Sequence, residues 1–521
     1  MSTTAIERHV LRTAALAPAL LLTGSMGLLF ARLRPDVGGK PFHEDEAVAG
    51  LISARPLGDL LHTVVLDRGG APLHFLLAHF ALAFDTTPET LRWVSVLFAL
   101  ATVPLCYDLA RRLAGQATGL VAAMLTATSQ LLLIYGTFGR MYSLFAFTSA
   151  LAADLFVRAL EKPGRGTALA ATAAGLLPLA VHPFGAFLFA AEAAVALWVW
   201  RGRDLRSALP VVGVALLALP LVLVDLRLSD RYAPEAGQNL DSGMSTGAAT
   251  LHALGGAAGG GGAALVAFAV LAAAGVLALA RHRPAVAVFI GLTLAVPPCL
   301  LAIAHASGLA SDRLAPRHLI FMLPLWIGLV ATGATSIGAR FPWRGRTALL
   351  AAVVAAAAFA PSAVSEPRTI PSGAPQAVAA PAAWLATALA PGDVLYPYSP
   401  VFLAALPEAR HARSYAREPV ALARAAARTG VVPSVFVSIP LQGPVEPDAF
   451  QNEGAIRIHV FPSWLIAEAR GPFADGTAAL RATAALLQAI SPLVVDAGAQ
   501  PYAEQLSGTA CAALGRLGSS C

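Results

Sequence analysis

The chain has 521 residues, of which 57% are hydrophobic and 13% are charged, and its mean hydropathy is +0.67. Soluble globular proteins carry about 25% charged residues. The composition therefore excludes a cytosolic enzyme, a disordered protein and a nucleic-acid-binding protein that relies on a basic face. The net charge of +6 has to be interpreted from where the positive residues lie along the chain. Four cysteines are too few for a disulfide scaffold.

Apolar runs long enough to cross a bilayer recur from the N-terminus to about residue 361. The first run follows Arg8 and Arg12, as in a signal peptide, but no A-x-A cleavage site follows it, so we interpret it as a retained helix. The sequence predicts about eleven transmembrane helices, near residues 14–31, 90–110, 117–135, 143–159, 167–181, 184–200, 208–224, 251–280, 285–304, 318–337 and 347–361.

The segment 71–84 is apolar but too short to cross a membrane, and it contains Pro72, His74 and His79. We predict that it is an interfacial helix in the long first outer loop. With eleven spans and a cytoplasmic N-terminus, the short Arg-rich loops all lie on the cytoplasmic side, as the positive-inside rule requires. An additional span at 71–84 would move these loops outside. The predicted location is a multi-pass plasma-membrane protein.

Charged residues return in the C-terminal part of the chain. Short apolar runs near 393–398, 433–440 and 456–461 predict strands, and 418–428 and 477–490 predict helices. We therefore predict a transmembrane catalytic domain over 1–364 and a small extracytoplasmic α/β domain over 365–521. An oxidising compartment would permit a disulfide between Cys511 and Cys521, but their spacing leaves that pairing open.

Acidic residues open the first outer loop, in the run His43-Glu44-Asp45-Glu46. Adjacent carboxylates repel one another, and near a low-dielectric surface this raises the pKa of at least one of them. Such a group suits general-base catalysis. Acids at this position would also stabilise the N-terminus of a helix through the helix dipole. For Asp45 and Glu46 together, at the end of a membrane span, we favour the functional interpretation.

Three outer hairpins each bring an arginine to the predicted membrane interface: Arg92, Arg140 and Arg317. Guanidinium groups bind phosphate through paired hydrogen bonds, and a lipid phosphate in the outer leaflet is the obvious anion. The alternative is that each arginine extends to lipid headgroups without a catalytic role. His182, at the sharp break between two spans, would by itself be a structural histidine more often than a catalyst.

The order and the sidedness of these motifs resemble the GT-C superfamily of integral-membrane glycosyltransferases. These enzymes use polyprenyl-phosphate sugars and include protein O-mannosyltransferases and lipid A aminoarabinose transferases. The resemblance covers roughly residues 10–340 and includes the acidic start of the first outer loop. The other motifs that support the resemblance are Gly70–His79, Leu91–Ser95, Arg140–Leu144, His182–Phe184 and Pro316–Pro324. His318 stands where tyrosine is commoner in the family.

The resemblance implies a set of roles for these residues. Asp45 would be the base that activates the acceptor, with Glu46 assisting, and Arg92, Arg140 and Arg317 would hold the donor phosphate. The residues assigned to substrate binding are His43, His74, Tyr142, His182 and His318. Some relatives hold a divalent cation at the loop carboxylates, but contiguous acids cannot all face one ion, so we assign no metal ligand here.

Two other functions compete with this interpretation. A transporter or lipid flippase would use the deeply placed Glu192, but it predicts an internal repeat of spans, and none is visible. A scaffold protein would depend on the C-terminal domain instead of the loop acids. We expect an inverting glycosyltransferase with a polyprenyl-phosphate-linked sugar and membrane lipid as partners, and no nucleic acid. The acceptor (protein, lipid or glycan) stays open.

Overall fold

The protein divides into two compact units, and the second draws on two separate parts of the chain. The first unit comprises Met1–Gly39 and Ile52–Glu366, and the second comprises Lys40–Leu51 and Pro367–Cys521. The computed structural model describes residues 3–39, 44–67, 71–85, 87–200, 245–260, 262–307, 314–359, 379–390, 392–396, 430–441, 456–461, 464–495 and 499–521. The predicted span 208–224, the predicted helix 418–428 and the predicted site residue His43 lie outside these ranges.

The described part of the chain up to residue 359 is helical. A π-helical turn, His62–Asp67, and a 3-10 helix, Pro316–Met322, supplement the α-helices. The α-helices are α1 (Thr3–Gly39), α2 (Glu44–Ser53), α3 (Leu57–Leu61), α4 (Leu73–Leu82), α5 (Pro88–Ala114), α6 (Gln116–Ala127), α7 (Gln130–Tyr135), α8 (Tyr142–Glu161), α9 (Arg165–Val181), α10 (Gly185–Trp200), α11 (Thr246–Ala258), α12 (Gly262–His282), α13 (Pro284–Ala306), α14 (Leu323–Gly338) and α15 (Trp343–Phe359).

Six helical segments in the described ranges are long and apolar enough to cross a membrane: Glu89–Ala114, Tyr142–Glu161, Gly262–His282, Pro284–Ala306, Pro316–Gly338 and Gly476–Val494. The last of these is amphipathic and packs on the sheet of the second unit, so its apolar face is already used there. The other five and the shorter apolar helices make this a multi-pass membrane protein. The number eleven stays a prediction.

Two of the predicted spans are wrong as continuous helices. The run 117–135 breaks after Ala127, and Ser129 caps the new helix α7 by accepting a hydrogen bond from the Leu132 N–H. The run 251–280 breaks at Gly259, whose φ of +91° is a left-handed conformation that ends α11. Hydropathy stays high through both breaks, so the apolar pattern alone does not reveal them.

Helix α4 occupies most of the predicted interfacial segment. Its ten residues extend about 15 Å, half of the roughly 30 Å of a bilayer core. His79 Nδ1 lies 2.8 Å from the backbone oxygen of Ser53, which fixes α4 against the preceding part of the loop. The structure thus agrees with a helix that does not cross the membrane.

Helices α12 and α14 approach each other through glycines. A Cβ atom on Gly333 would lie 2.7 Å from the carbonyl carbon of Leu271, and one on Gly275 would lie 3.1 Å from that of Leu329. Small residues at such crossings allow helix backbones in membranes to pack closely. The two glycines therefore determine how closely this helix pair packs.

An ion-pair network joins the ends of α5 and α8. Arg112 Nε lies 2.9 Å from Asp154 Oδ1, and Arg158 Nη2 lies 2.7 Å from Asp154 Oδ2 and 2.5 Å from Asp108 Oδ2. Arg111 also pairs with Asp108. Asp108 and Asp154 are thus both paired with neighbouring arginines. These acids are therefore part of the packing between helices.

The second unit contains a four-stranded mixed sheet in the order β1-β2-β4-β3. β1 pairs with β2 in parallel and the other pairs are antiparallel. The strands are β1 (Val394–Tyr396), β2 (Val432–Pro440), β3 (Ile456–Phe461) and β4 (Trp464–Phe473), and the helices of this unit beyond residue 366 are α16 (Ala379–Ala388), α17 (Gly476–Ile490) and α18 (Gln500–Arg516). The predicted strands and the predicted helix at 477–490 are confirmed, whereas β4 was not predicted.

Alternate strand residues face two different helical layers. Residues such as Val435 and Val437 pack with α17 and α18 on one face. On the other face, Phe436 packs with α16 and with Leu51 of α2. A disulfide joins Cys511 and Cys521, with a Cα–Cα distance of 5.0 Å. The segment Lys40–Leu51, which contains most of α2, therefore belongs to the second unit.

Candidate active site

The acidic run begins helix α2. Asp45 is half-buried, whereas Glu46 is 1% exposed and is followed by the buried residues Ala47, Val48 and Ala49. Consecutive residues on a helix point in directions about 100° apart, so the two carboxylates face different surroundings. Asp45 is the more accessible of the two.

Arg92 lies in the first turns of α5 and is 5% exposed. Its Nη1 donates hydrogen bonds to the backbone oxygens of Val37, at 2.9 Å, and Asp36, at 3.4 Å. Part of this guanidinium therefore holds the last turn of α1. This contact was not predicted from the sequence, because it joins the Arg92 side chain to backbone more than fifty residues away.

The turn that carries Arg140 is fixed by two buried hydroxyls. Ser95 Oγ donates to the backbone oxygen of Phe138 at 2.6 Å, and Ser143 Oγ donates to that of Tyr135 at 2.8 Å. The ring of Tyr142, which is 3% exposed, lies 4.8 Å from that of Tyr135. Tyr142 is therefore part of an aromatic cluster. Ser95 was not assigned a role from the sequence, although it belongs to the Leu91–Ser95 motif.

The structure brings His74 of α4 close to Arg140. His74 is 1% exposed, and burial together with the nearby Arg140 charge lowers its pKa to about 3, against a smaller opposing effect of a hydrogen bond to the Gly139 backbone. Among the described residues Nε2 of His74 has no hydrogen-bond partner, so Nδ1 is the nitrogen that donates to Gly139. His74 is thus a neutral imidazole whose Nε2 lone pair is an acceptor next to a guanidinium.

A second pair of predicted residues also comes together. The rings of His182 and His318 lie 5.7 Å apart, and His182 stacks on Phe145 at 5.1 Å. The N–H of Phe184 donates to His182 Nδ1 at 3.1 Å, so neutral His182 carries its proton on Nε2. Phe321 also packs against Phe145, with the ring centroids 5.4 Å apart. These phenylalanines were not predicted as site residues, since they are indistinguishable in sequence from ordinary core aromatics.

Helix α8 connects the two pairs. Tyr142 and Phe145 are three residues apart on one helix face, and Arg140 precedes that helix directly. Arg317 and His318 lie on the 3-10 helix Pro316–Met322, where both are half-buried. Within the first unit, the beginning of α8 therefore lies between the His74–Arg140 pair and the His182–His318 pair.

No group of three or more His, Cys, Asp or Glu side chains among the described residues is arranged to hold a metal ion. The described acids at the start of α2 therefore do not form such a group.

The chain is similar to known membrane proteins over part of its sequence and in its fold. Residues 70–226 match the family model described as dolichyl-phosphate-mannose-protein mannosyltransferase. No curated protein matches the sequence. The structure resembles ArnT from Cupriavidus metallidurans in the apo state, with a TM-score of 0.55 and 11% identity over 88% of this chain and 98% of that one. For ArnT bound to undecaprenyl phosphate the TM-score is 0.55, with 12% identity over 86% of this chain and 97% of that one.

Proposed function

We propose that the chain is a membrane glycosyltransferase of the GT-C superfamily, and that it transfers a sugar from a polyprenyl-phosphate donor to an acceptor at the extracytoplasmic face. The similarity to the mannosyltransferase family model and to ArnT supports this proposal. The observation that carries this proposal is the match of residues 70–226 to the mannosyltransferase family model. That range includes His74, Arg92, Arg140 and His182. The undecaprenyl phosphate bound by ArnT supports the choice of donor lipid.

In the proposed reaction Asp45 accepts the proton of an acceptor hydroxyl as its oxygen attacks the anomeric carbon. The bond between that carbon and the phosphate oxygen breaks, and its electron pair leaves with the lipid phosphate. Arginine side chains then offset the charge that develops on the departing phosphate. A single displacement of this kind inverts the anomeric centre.

Arg140 is one arginine that we assign to the phosphate, since its guanidinium carries the positive charge of the His74–Arg140 pair. With its pKa at about 3, His74 adds no positive charge at physiological pH, and its Nε2 is an acceptor for a donor N–H or a sugar hydroxyl. We propose that Arg140, with Arg92 and Arg317, binds the phosphate and that His74, Tyr142, His182 and His318 contact the sugar. His43 is assigned to the same role from the sequence alone.

The test is sugar transfer from labelled polyprenyl-phosphate hexoses in membranes that contain equal amounts of each protein. Asp45→Asn should lower transfer by about two orders of magnitude or more, the usual contribution of a general base. Asp59→Asn is the matched control, since Asp59 is an exposed acid of the same loop, and it should leave transfer unchanged. Transfer that survives Asp45→Asn would refute the role of Asp45, and the absence of transfer with every donor would refute the function.

A further inference from the structure

The second unit has a polar depression that the proposed chemistry does not use. It lies where the 3-10 helix Ser491–Val494 follows α17 and meets the first turns of α18. Its volume is about 360 Å³, near the lower end of the roughly 300–1,000 Å³ of small-molecule sites. The described residues that line it are Gln488, Ser491, Pro492, Gln500, Glu504 and Ser507.

The lining residues restrict the class of ligand. They offer two amides, two hydroxyls and one carboxylate, and none of the described lining residues is cationic. An anionic ligand would have no counter-charge there, and a single carboxylate is too few ligands for a divalent cation. Amide, hydroxyl and carboxylate groups together donate to and accept from alcohol groups. The lining therefore suits a neutral, hydroxyl-rich ligand.

Among the described residues, the hydroxyl of Ser491 is a lining group without a hydrogen-bond partner. Ser491 is 7% exposed, and its Oγ is buried with no hydrogen-bond partner in the described part of the chain. Buried hydroxyls are nearly always paired, because an unpaired one has lost its water without replacement. A ligand hydroxyl in the depression would supply the missing partner.

The neighbouring amides make hydrogen bonds that favour particular orientations. Gln488 Nε2 donates to the sulfur atoms of Cys511, at 3.8 Å, and Cys521, at 3.9 Å, which leaves the amide oxygen as an acceptor. Gln500 Nε2 donates to Glu504 Oε1 at 2.8 Å, one turn along α18. Side chains that are ordered before binding lose less entropy when a ligand arrives. The disulfide thus helps to preorganise this surface.

We propose that this depression is a binding site for a neutral saccharide. Resting on the proposed transfer function, we assign it to the acceptor, which would make the acceptor a glycan. The pyrrolidine ring of Pro492 provides an apolar surface for a sugar ring, and the amides, hydroxyls and Glu504 bind its alcohol groups.

The experiment uses the full-length protein in lipid nanodiscs without any donor. Binding of maltotriose, chitotriose and α-1,6-mannotriose is titrated by saturation-transfer NMR, for the wild type and for the double variant Gln500→Ala, Glu504→Ala. At least one trisaccharide should bind the wild type, and the double variant should bind it about tenfold more weakly, as expected for lost hydrogen bonds. Ala485→Gln, at an exposed position of α17 outside the lining, should bind like the wild type.

The proposal is overturned if none of the three trisaccharides binds, or if binding is the same in the double variant. Glu504→Gln keeps the side-chain volume and replaces the double variant if that protein does not fold. Failure of this proposal is distinguishable from failure of the proposed function. Sugar transfer by the wild type without trisaccharide binding would refute only the saccharide site. Trisaccharide binding without transfer from any donor would refute only the proposed transferase function.

Discussion

Alanine substitutions at the glycines where α12 and α14 cross test how closely these two helices pack. A methyl group on Gly333 would lie 2.7 Å from the Leu271 carbonyl carbon, whereas carbon atoms in contact are about 3.5–4.0 Å apart. The helices would have to separate by about 1 Å, and an overpacked core of this kind costs typically 1–3 kcal/mol and occasionally more. We expect about 3 kcal/mol for Gly333→Ala. Gly275→Ala, at 3.1 Å, should cost less.

Gly291 is the matched control, because it lies inside helix α13 and a Cβ there would meet nothing within 4 Å. Gly291→Ala should stabilise the protein by about 0.5–1 kcal/mol, since alanine favours the helix. The assay is thermal unfolding in one detergent, followed by tryptophan fluorescence. The midpoints should rise in the order Gly333→Ala, Gly275→Ala, wild type, Gly291→Ala. A Gly333→Ala midpoint equal to that of the wild type would refute the close crossing.

Two further predictions concern charge. Arg112→Ala should destabilise by about 2–3 kcal/mol, because it removes one partner of the buried Asp154, whereas Arg111→Ala, with a side chain 46% exposed, should cost under about 1 kcal/mol. Equal midpoints for the two variants would contradict this. The low pKa of His74 makes folding less favourable as pH falls from 6.5 towards 3, because only the unfolded chain then takes up the proton. By pH 5 the loss is about 2 kcal/mol, and unfolding midpoints of His74→Gln should lack that part of the pH dependence.

The regular parts of the second unit were predictable because their pattern is local. The strands Val432–Pro440 and Ile456–Phe461 are apolar runs bounded by turn residues, and both were predicted. The strand Trp464–Phe473 was missed, since Glu468, Arg470 and a Gly471-Pro472 pair interrupt its apolar pattern. Its register with β2 on one side and β3 on the other stabilises it despite these residues.

From the sequence, the site was predictable only as a set of residues that we expected on one side of the membrane. That His74 lies beside Arg140, and His182 beside His318, depends on how helices pack, and no sequence period reports it. Arg92 shows that a residue predicted for the site can also have a structural contact that the sequence does not predict. Arg92 donates a hydrogen bond to the Val37 backbone, and we also propose that it binds phosphate. A guanidinium has five N–H donors, so it can make both contacts.

The two-part origin of the second unit has a consequence for synthesis. Leu51 packs on a cluster that contains Leu385 and Trp464, yet Pro367, where the rest of the unit begins, leaves the ribosome some three hundred residues after Leu51. At about 5–20 residues per second this interval is on the order of 15–60 s. During it the helix that carries Asp45 has no native partner for Leu51. We expect a chain truncated before residue 367 to keep Asp45 but to lose the cluster on which Leu51 of the same helix packs.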